Sequence, residues 1–202
     1  MSTGGERWRF LRSFFASPRG VGAVLPTSRR AVRDTLALAP PADARLVVEL
    51  GAGTGVYTRE ILAQLEPEGR LLAFEIDPDL ARTLEEELDD PRLQVVCESA
   101  LELSSHLEGE QPDLIVSALP FTSLPGELGR RILHAASAAL APGGTMLVLQ
   151  YSPLIERELR RTFASVERRI SPVNVPPAFL FACRQPVADG TEARQGGEAR
   201  AR

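Results

Sequence analysis

Residues 47–55 read Val47-Val48-Glu49-Leu50-Gly51-Ala52-Gly53-Thr54-Gly55, and residues 71–77 read Leu71-Leu72-Ala73-Phe74-Glu75-Ile76-Asp77. Each is an apolar run ending in an acid, and the first continues into a glycine-rich turn. Glycines let a backbone approach a ligand closely, and an acid at the next strand end accepts hydrogen bonds from ribose hydroxyls. The pair places a nucleotide-like cofactor at the carboxyl ends of two parallel strands. A dinucleotide fingerprint, G-x-G-x-x-G, needs glycine at position 56, where this chain has Val56. The cofactor is therefore of another kind.

Outward from the turn, strand-like and helix-like runs alternate. Strands are predicted at Leu46–Leu50, Leu71–Ile76, Leu93–Cys97, Leu114–Ser117, Met146–Gln150, Val166–Ile170 and Phe179–Cys183. Helical patterns cover Val56–Leu65, Pro78–Leu88, Pro125–Leu140 and Pro153–Thr162. Such alternation implies an α/β domain, a Rossmann-like and mostly parallel sheet of seven strands with helices on both faces. The last two strands have no helix between them and form an antiparallel edge hairpin. This domain spans residues 42–185.

Residues 1–41 read as a separate helical module. Arg7-Trp8-Arg9-Phe10-Leu11-Arg12-Ser13-Phe14-Phe15 has helical amphipathic spacing within about 5–17, with Trp8, Leu11 and Phe15 aligned and Phe10 and Phe14 widening that face. A second helix at about 27–38 starts at Thr27-Ser28, whose hydroxyls suit an N-cap. Residues 186–202 are polar and rich in glycine and charge, and read as a disordered tail.

The chain has 202 residues, enough for one sizeable core, and a formal net charge of -4. All 23 basic residues are arginine, so no lysine can serve as base or Schiff-base nucleophile. Residues 1–33 carry seven arginines against the single Glu6, so the net charge misrepresents that end. No apolar run approaches the roughly 20 residues of a membrane span. A secretory leader is not evident either, which points to a cytoplasmic protein. Cys97 and Cys183 read as small core residues, and no cysteine–histidine cluster has metal spacing, so no metal is expected.

A G-x-G-x-G turn directly after Glu-Leu resembles class I methyltransferases that use S-adenosylmethionine and release S-adenosylhomocysteine. On that resemblance the cofactor set comprises Glu49, Gly51, Ala52, Gly53, Thr54, Gly55, Glu75, Ile76, Ser99, Ala100 and Ser117. Glu75 would bind the ribose, Ile76 would pack on the adenine, and Ser99-Ala100 would meet its edge. Many such enzymes have an acid where Ser99 stands. Ser117-Ala118-Leu119-Pro120-Phe121 occupies the acceptor loop, and lacks the Asn or Asp with which enzymes acting on adenine or amides hold a planar NH2 group.

Longer segments resemble bacterial phospholipid N-methyltransferases. They are Phe10-Leu11-Arg12, Val21-Gly22-Ala23-Val24-Leu25-Pro26-Thr27-Ser28-Arg29, Val116–Phe121 and Asn174-Val175-Pro176-Pro177-Ala178. The resemblance implies an enzyme that methylates the amine of phosphatidylethanolamine, up to three times, toward phosphatidylcholine. It implies Thr27, Ser28, Arg29, Arg30, Leu119, Pro120, Phe121 and Asn174 at the lipid headgroup, with Arg29 or Arg30 pairing the phosphate.

Residues of the first helix fit that setting. Its aromatic face would enter the bilayer interface while Arg7, Arg9 and Arg12 meet anionic lipid, placing a monomeric enzyme peripherally on the inner face of the cell membrane. Nucleic acid is not an expected partner. Transfer to nitrogen needs a neutral amine, and Tyr57 and Tyr151, the only tyrosines, are expected on the strand-end rim to orient it or relay its proton. Two other readings compete: an rRNA adenine N6-dimethyltransferase, and a non-catalytic membrane-binding protein on the same fold.

Overall fold

The computed structural model describes residues 28–172 and 177–187. Its elements, in chain order, are α1 (Arg29–Leu36), β1 (Leu46–Leu50), α2 (Val56–Leu62), β2 (Arg70–Phe74), α3 (Pro78–Glu87), β3 (Leu93–Val96), β4 (Leu114–Ser117), α4 (Gly126–Ala139), β5 (Thr145–Gln150), α5 (Glu156–Thr162), β6 (Phe163–Ser171) and β7 (Ala178–Pro186). Short 3-10 helices lie at Pro41–Asp43, Ala100–His106 and Pro153–Ile155.

The seven strands form one sheet in the order β3-β2-β1-β4-β5-β7-β6. β1 to β5 run parallel to one another, and β7 runs antiparallel to both β5 and β6. This is the Rossmann-like methyltransferase architecture expected, with its antiparallel edge. All residues of β1, β4 and β5 are buried, as befits central strands covered on both faces. Strand order reverses between β1 and β4, where open α/β sheets bind ligands at the carboxyl ends. Asp113 Oδ2 accepts from the amides of Arg45 and Leu46 and so pins the start of β1 beside β4.

The helix expected at about 27–38 is α1. Ser28 caps it, its Oγ accepting from Ala31 N at 3.2 Å. Ala31, Val32, Thr35 and Leu36 are buried. They share a cluster with Val47, Leu71, Leu147 and Leu180, so α1 belongs to the core of the sheet domain. Its direction is fixed at both ends. Ser171 Oγ donates to Asp34 Oδ2 at 2.8 Å near the carboxyl-end rim, and Arg184 donates to Leu38 O at 3.0 Å toward the opposite edge.

Element bounds differ from the sequence reading by up to three residues, and three departures have a structural consequence. β6 begins at Phe163, three residues early, because the buried Phe163 leaves α5 already extended. The run Pro153–Thr162 splits into a 3-10 turn and α5. Cys97 lies one residue beyond the edge strand β3 and is exposed, whereas Cys183 is buried. The helix at about 5–17, with Arg7, Trp8, Arg9, Phe10, Leu11, Arg12, Phe14 and Phe15, lies outside the described residues, as do Thr27, Asn174 and the tail from 188.

Candidate functional site

The turn after β1 has left-handed backbone at Gly51, with φ +81°, and at Gly55, with φ +76°. L-residues with a Cβ avoid this region. A Cβ at Gly51 would stand 2.7 Å from Leu119 Cδ2 of the loop after β4. One at Gly55 would collide with Leu84 of α3 and Arg59 of α2. The glycines thus let two loops and two helices close around the strand ends.

Glu75 follows β2 and is buried. Its Oε2 accepts from Gly53 N at 2.7 Å and its Oε1 from Asp77 N at 2.8 Å. Each oxygen retains a lone pair for a further donor. Burial raises its carboxyl above the ordinary range, while the backbone donors at Asp77, Gly53 and Ile76 oppose the shift. Beside it lies a cavity of about 230 Å³. Gly51, Gly53, Glu75, Ile76, Ser99, Ala100, Leu119 and Pro120 all line it, bringing together eight residues chosen from the sequence.

Sequence reasoning missed other parts of the lining: Phe74, Asp77, Leu80, Glu98, Ala118, Leu124, Leu128 and Ile132. Asp77 was legible as an N-cap, since its Oδ1 accepts from Asp79 N and Leu80 N at the start of α3. Leu124, Leu128 and Ile132 arrive from across the sheet, and no local pattern marks them. Ser99 caps the 3-10 helix after β3, its Oγ accepting from Leu101 N at 3.3 Å.

Glu49 points to the other face of β1 and is 1% exposed. Thr58 Oγ1 donates to its Oε2 at 2.7 Å, and Oε1 has no partner. Burial pushes the carboxyl up to about 7, against the pull of Thr58 and with a smaller push from Glu75. A buried carboxyl oxygen without a donor favours a cationic or hydrogen-bonding partner.

Tyr57 is not at the cavity. It is 3% exposed, and its hydroxyl donates to Thr35 Oγ1 of α1 at 3.1 Å, while Thr35 donates to Ala31 O at 2.7 Å. Burial raises its ionisation well above that of an ordinary phenol, and nearby Glu49 and Tyr151 push the same way. Tyr151, just past β5, is half-buried against the same cluster. Phe121 also departs from expectation. It is buried in the core, within reach of Gly129 on α4.

Ser117 is fully buried at the end of β4 and accepts from Leu119 N. Gln150, which sequence reading passed over, donates to Leu119 O at 2.7 Å. That carbonyl also accepts from Phe121 N at 2.8 Å, so both its lone pairs are engaged within the loop. Ser28, Arg29 and Arg30 lie at the rim end of α1, where Arg30 pairs with Asp34 at 3.0 Å and Arg29 is exposed. Ala52 and Thr54 complete the turn. Among the described residues no group of three His, Cys, Asp or Glu can hold a metal, and no helix is long and apolar enough to cross a membrane.

The family described as "Methyltransferase domain" matches residues 47–144. An ornithine lipid N-methyltransferase of Singulisphaera acidiphila is 37% identical over 180 residues, which cover 87% of this chain and 94% of that protein. The ribosomal RNA small subunit methyltransferase A of a Synechococcus strain is 33% identical over 117 residues, 57% of this chain and 39% of its own. Among solved structures, the N-methyltransferase NodS of Bradyrhizobium japonicum, in complex with S-adenosylhomocysteine, superposes with a TM-score of 0.66. It is 17% identical, and the match covers 89% of this chain and 98% of NodS. The glycine cradle, the fixed Glu75 and the cavity beside it fit S-adenosylmethionine. With a relative matched along almost its whole length, this chain belongs to the class I S-adenosylmethionine-dependent methyltransferases.

Proposed function

We propose that this enzyme methylates the terminal primary amine of a membrane aminolipid. The observation that carries the reading is the near full-length similarity to an ornithine lipid N-methyltransferase. Phosphatidylethanolamine, with its mono- and dimethyl derivatives, is the acceptor suggested by the motifs on either side of the glycine turn. Ornithine and phosphoethanolamine headgroups share a chemistry: a terminal amine a few bonds from an anion. Arg29, exposed at the rim end of α1, suits either a carboxylate or a phosphate.

S-adenosylmethionine, when bound, supplies a methyl group on a sulfonium. Gly51 and Gly53 would admit it to the strand ends, Glu75 would receive its ribose hydroxyls, and Ile76, Ser99 and Ala100, which line the same cavity, would meet its adenine. Glu49, whose buried Oε1 has no donor, would take the ammonium of its methionine part. The acceptor has to present a neutral nitrogen, although a lipid ammonium titrates roughly where lysine does, at about 10. Tyr151 orients that nitrogen, and desolvation at the rim lowers the cost of losing its proton. Catalysis otherwise rests on positioning. The loop after β4 supports an aliphatic acceptor, since its Leu119 carbonyl is engaged by Gln150 and Phe121 and offers nothing to a planar amino group.

In this reading a monomer works at the inner face of the cell membrane, held peripherally by the arginine- and aromatic-rich segment 7–15. Purified protein, labelled S-adenosylmethionine and vesicles containing either phosphatidylethanolamine or an ornithine lipid test it, with ribosomal RNA in a parallel reaction. Label extracted with lipid supports the proposal, and chromatography of the product names the acceptor. Label in RNA alone overturns it.

A further inference from the structure

Three large apolar side chains stand exposed among the described residues: Leu154 at 77%, Ile170 at 53% and Val187 at 53%. Two of them belong to the cofactor rim. Leu154 sits in the 3-10 turn that follows β5. Ile170 pairs with Phe179 of β7, which also pairs with Gln150, so Ile170 is level with the last residue of β5. Ser171 turns toward α1, where it meets Asp34, so Ile170 and Arg168 face the opposite side. There Arg168 Nη1 donates to Glu156 Oε2 at 2.7 Å, bringing the end of β6 beside the start of α5, two residues after Leu154.

The surroundings are basic in an acidic protein. Residues 156–169 carry five arginines against three glutamates, while the chain as a whole has a net charge of -4. Arg157 is exposed and, unlike Arg160 and Arg161 on the same helix, forms no ion pair with the described residues. Two apolar side chains are far too little for a protein interface, which needs about 800 Å² from each partner. A lipid surface accepts single apolar side chains into its interfacial region and rewards arginines at its anionic headgroups.

We propose that Leu154, Ile170 and Arg157 form a membrane-docking lip on the cofactor rim, seated in the interface of an anionic lipid surface. The lip rests on the aminolipid reading and deepens it. It holds the mouth of the site against the bilayer, so that a headgroup amine reaches the strand ends while its acyl chains stay in the membrane. Its residues are distant in sequence from segment 7–15, and the lip gives the enzyme an orienting contact of its own.

The full-length chain tests this directly, because Trp8 is its only tryptophan. With Trp8→Phe and Leu154→Trp combined, fluorescence reports on position 154 alone. Vesicles of phosphatidylcholine with phosphatidylglycerol are expected to shift its emission to the blue. An emission that stays that of a water-exposed indole overturns the lip, even if lipid amines are methylated. A blue shift without methylation of any aminolipid overturns the proposed acceptor and leaves the lip standing. In flotation assays Leu154→Ser with Ile170→Ser is expected to weaken partition about tenfold, with unchanged thermal unfolding. Unaltered partition of that variant also overturns the lip.

Discussion

Thr58 donates to Glu49 Oε2 across 2.7 Å, and Oε1 of the same buried carboxyl meets no donor. Burial lifts this carboxyl from an ordinary 4.5 to about 7. A carboxyl raised on folding contributes stability that is whole below its unfolded value and is lost as pH climbs through its folded value. Unliganded protein is therefore expected to lose stability between pH 4.5 and about 7. Glu49→Gln removes that slope, and the limiting difference is about 3 kcal/mol. Calorimetric unfolding of both proteins across this window checks it; parallel pH profiles would sink the idea.

A cation beside Oε1 reverses the preference for the neutral carboxyl. Binding of S-adenosylhomocysteine, which carries the same ammonium as the donor, is expected to tighten as pH rises toward about 7 and then level off. The gain cannot exceed tenfold per pH unit for one group. Glu49→Gln is expected to bind weakly and with no such dependence. Titration calorimetry at several pH values measures both. A wild-type affinity that is flat from pH 5 to 8 would place the ammonium elsewhere.

Gly51 and Gly53 differ in what surrounds them, although both have left-handed backbone. A Cβ at Gly53 meets nothing within 4 Å, whereas one at Gly51 presses on Leu119. Gly53→Ala should therefore cost only the backbone strain, about 1–2 kcal/mol of stability. Gly51→Ala carries the same strain and also displaces the loop that lines the cavity. Its cofactor affinity is expected to fall at least tenfold further than that of Gly53→Ala. Equal losses would mean that Leu119 yields at no cost.

The central strands were legible because β1, β4 and β5 are buried along their whole length and so read as mostly apolar runs. The turn was legible because only glycine suits its backbone. Local pattern failed where burial comes from distant partners. Tyr57 sits one residue into α2, beside the glycine turn, and looked like a rim residue. Its hydroxyl is instead claimed by Thr35, on a helix that is remote in sequence. Gln150 carried no motif because its role, holding Leu119 O, exists only once β5 lies beside the β4 loop. The 3-10 helix Ala100–His106 has too little periodicity to be seen.

Glu75 is held by Gly53 N and Asp77 N, one on each oxygen. Glu75→Gln puts an amide donor against one of those N–H groups and leaves one acceptor fewer for the ribose. Loss of a charge-assisted hydrogen bond is worth about 1.5–3 kcal/mol. Affinity for S-adenosylhomocysteine is expected to fall about 10- to 100-fold, with turnover at saturating donor little changed. Calorimetry and initial rates separate the two. A fall in turnover with affinity preserved would remove Glu75 from the cofactor site.

The two tyrosines are expected to part company. Tyr57 bonds Thr35, so Tyr57→Phe loses one buried hydrogen bond between α1 and α2, about 1 kcal/mol. Thr35 keeps its bond to Ala31 O, so no hydroxyl proton is left stranded. Turnover of Tyr57→Phe should stay within about twofold of wild type once the protein is folded. Tyr151 is half-buried past β5, and it is the tyrosine proposed to orient the acceptor. Tyr151→Phe is expected to lower turnover about 10- to 100-fold while donor affinity holds, since the loss falls on positioning. Steady-state rates with saturating donor, alongside thermal unfolding, distinguish the pair. A Tyr57→Phe enzyme that is stable but inactive would return Tyr57 to the catalytic site, and would require α1 to open during turnover.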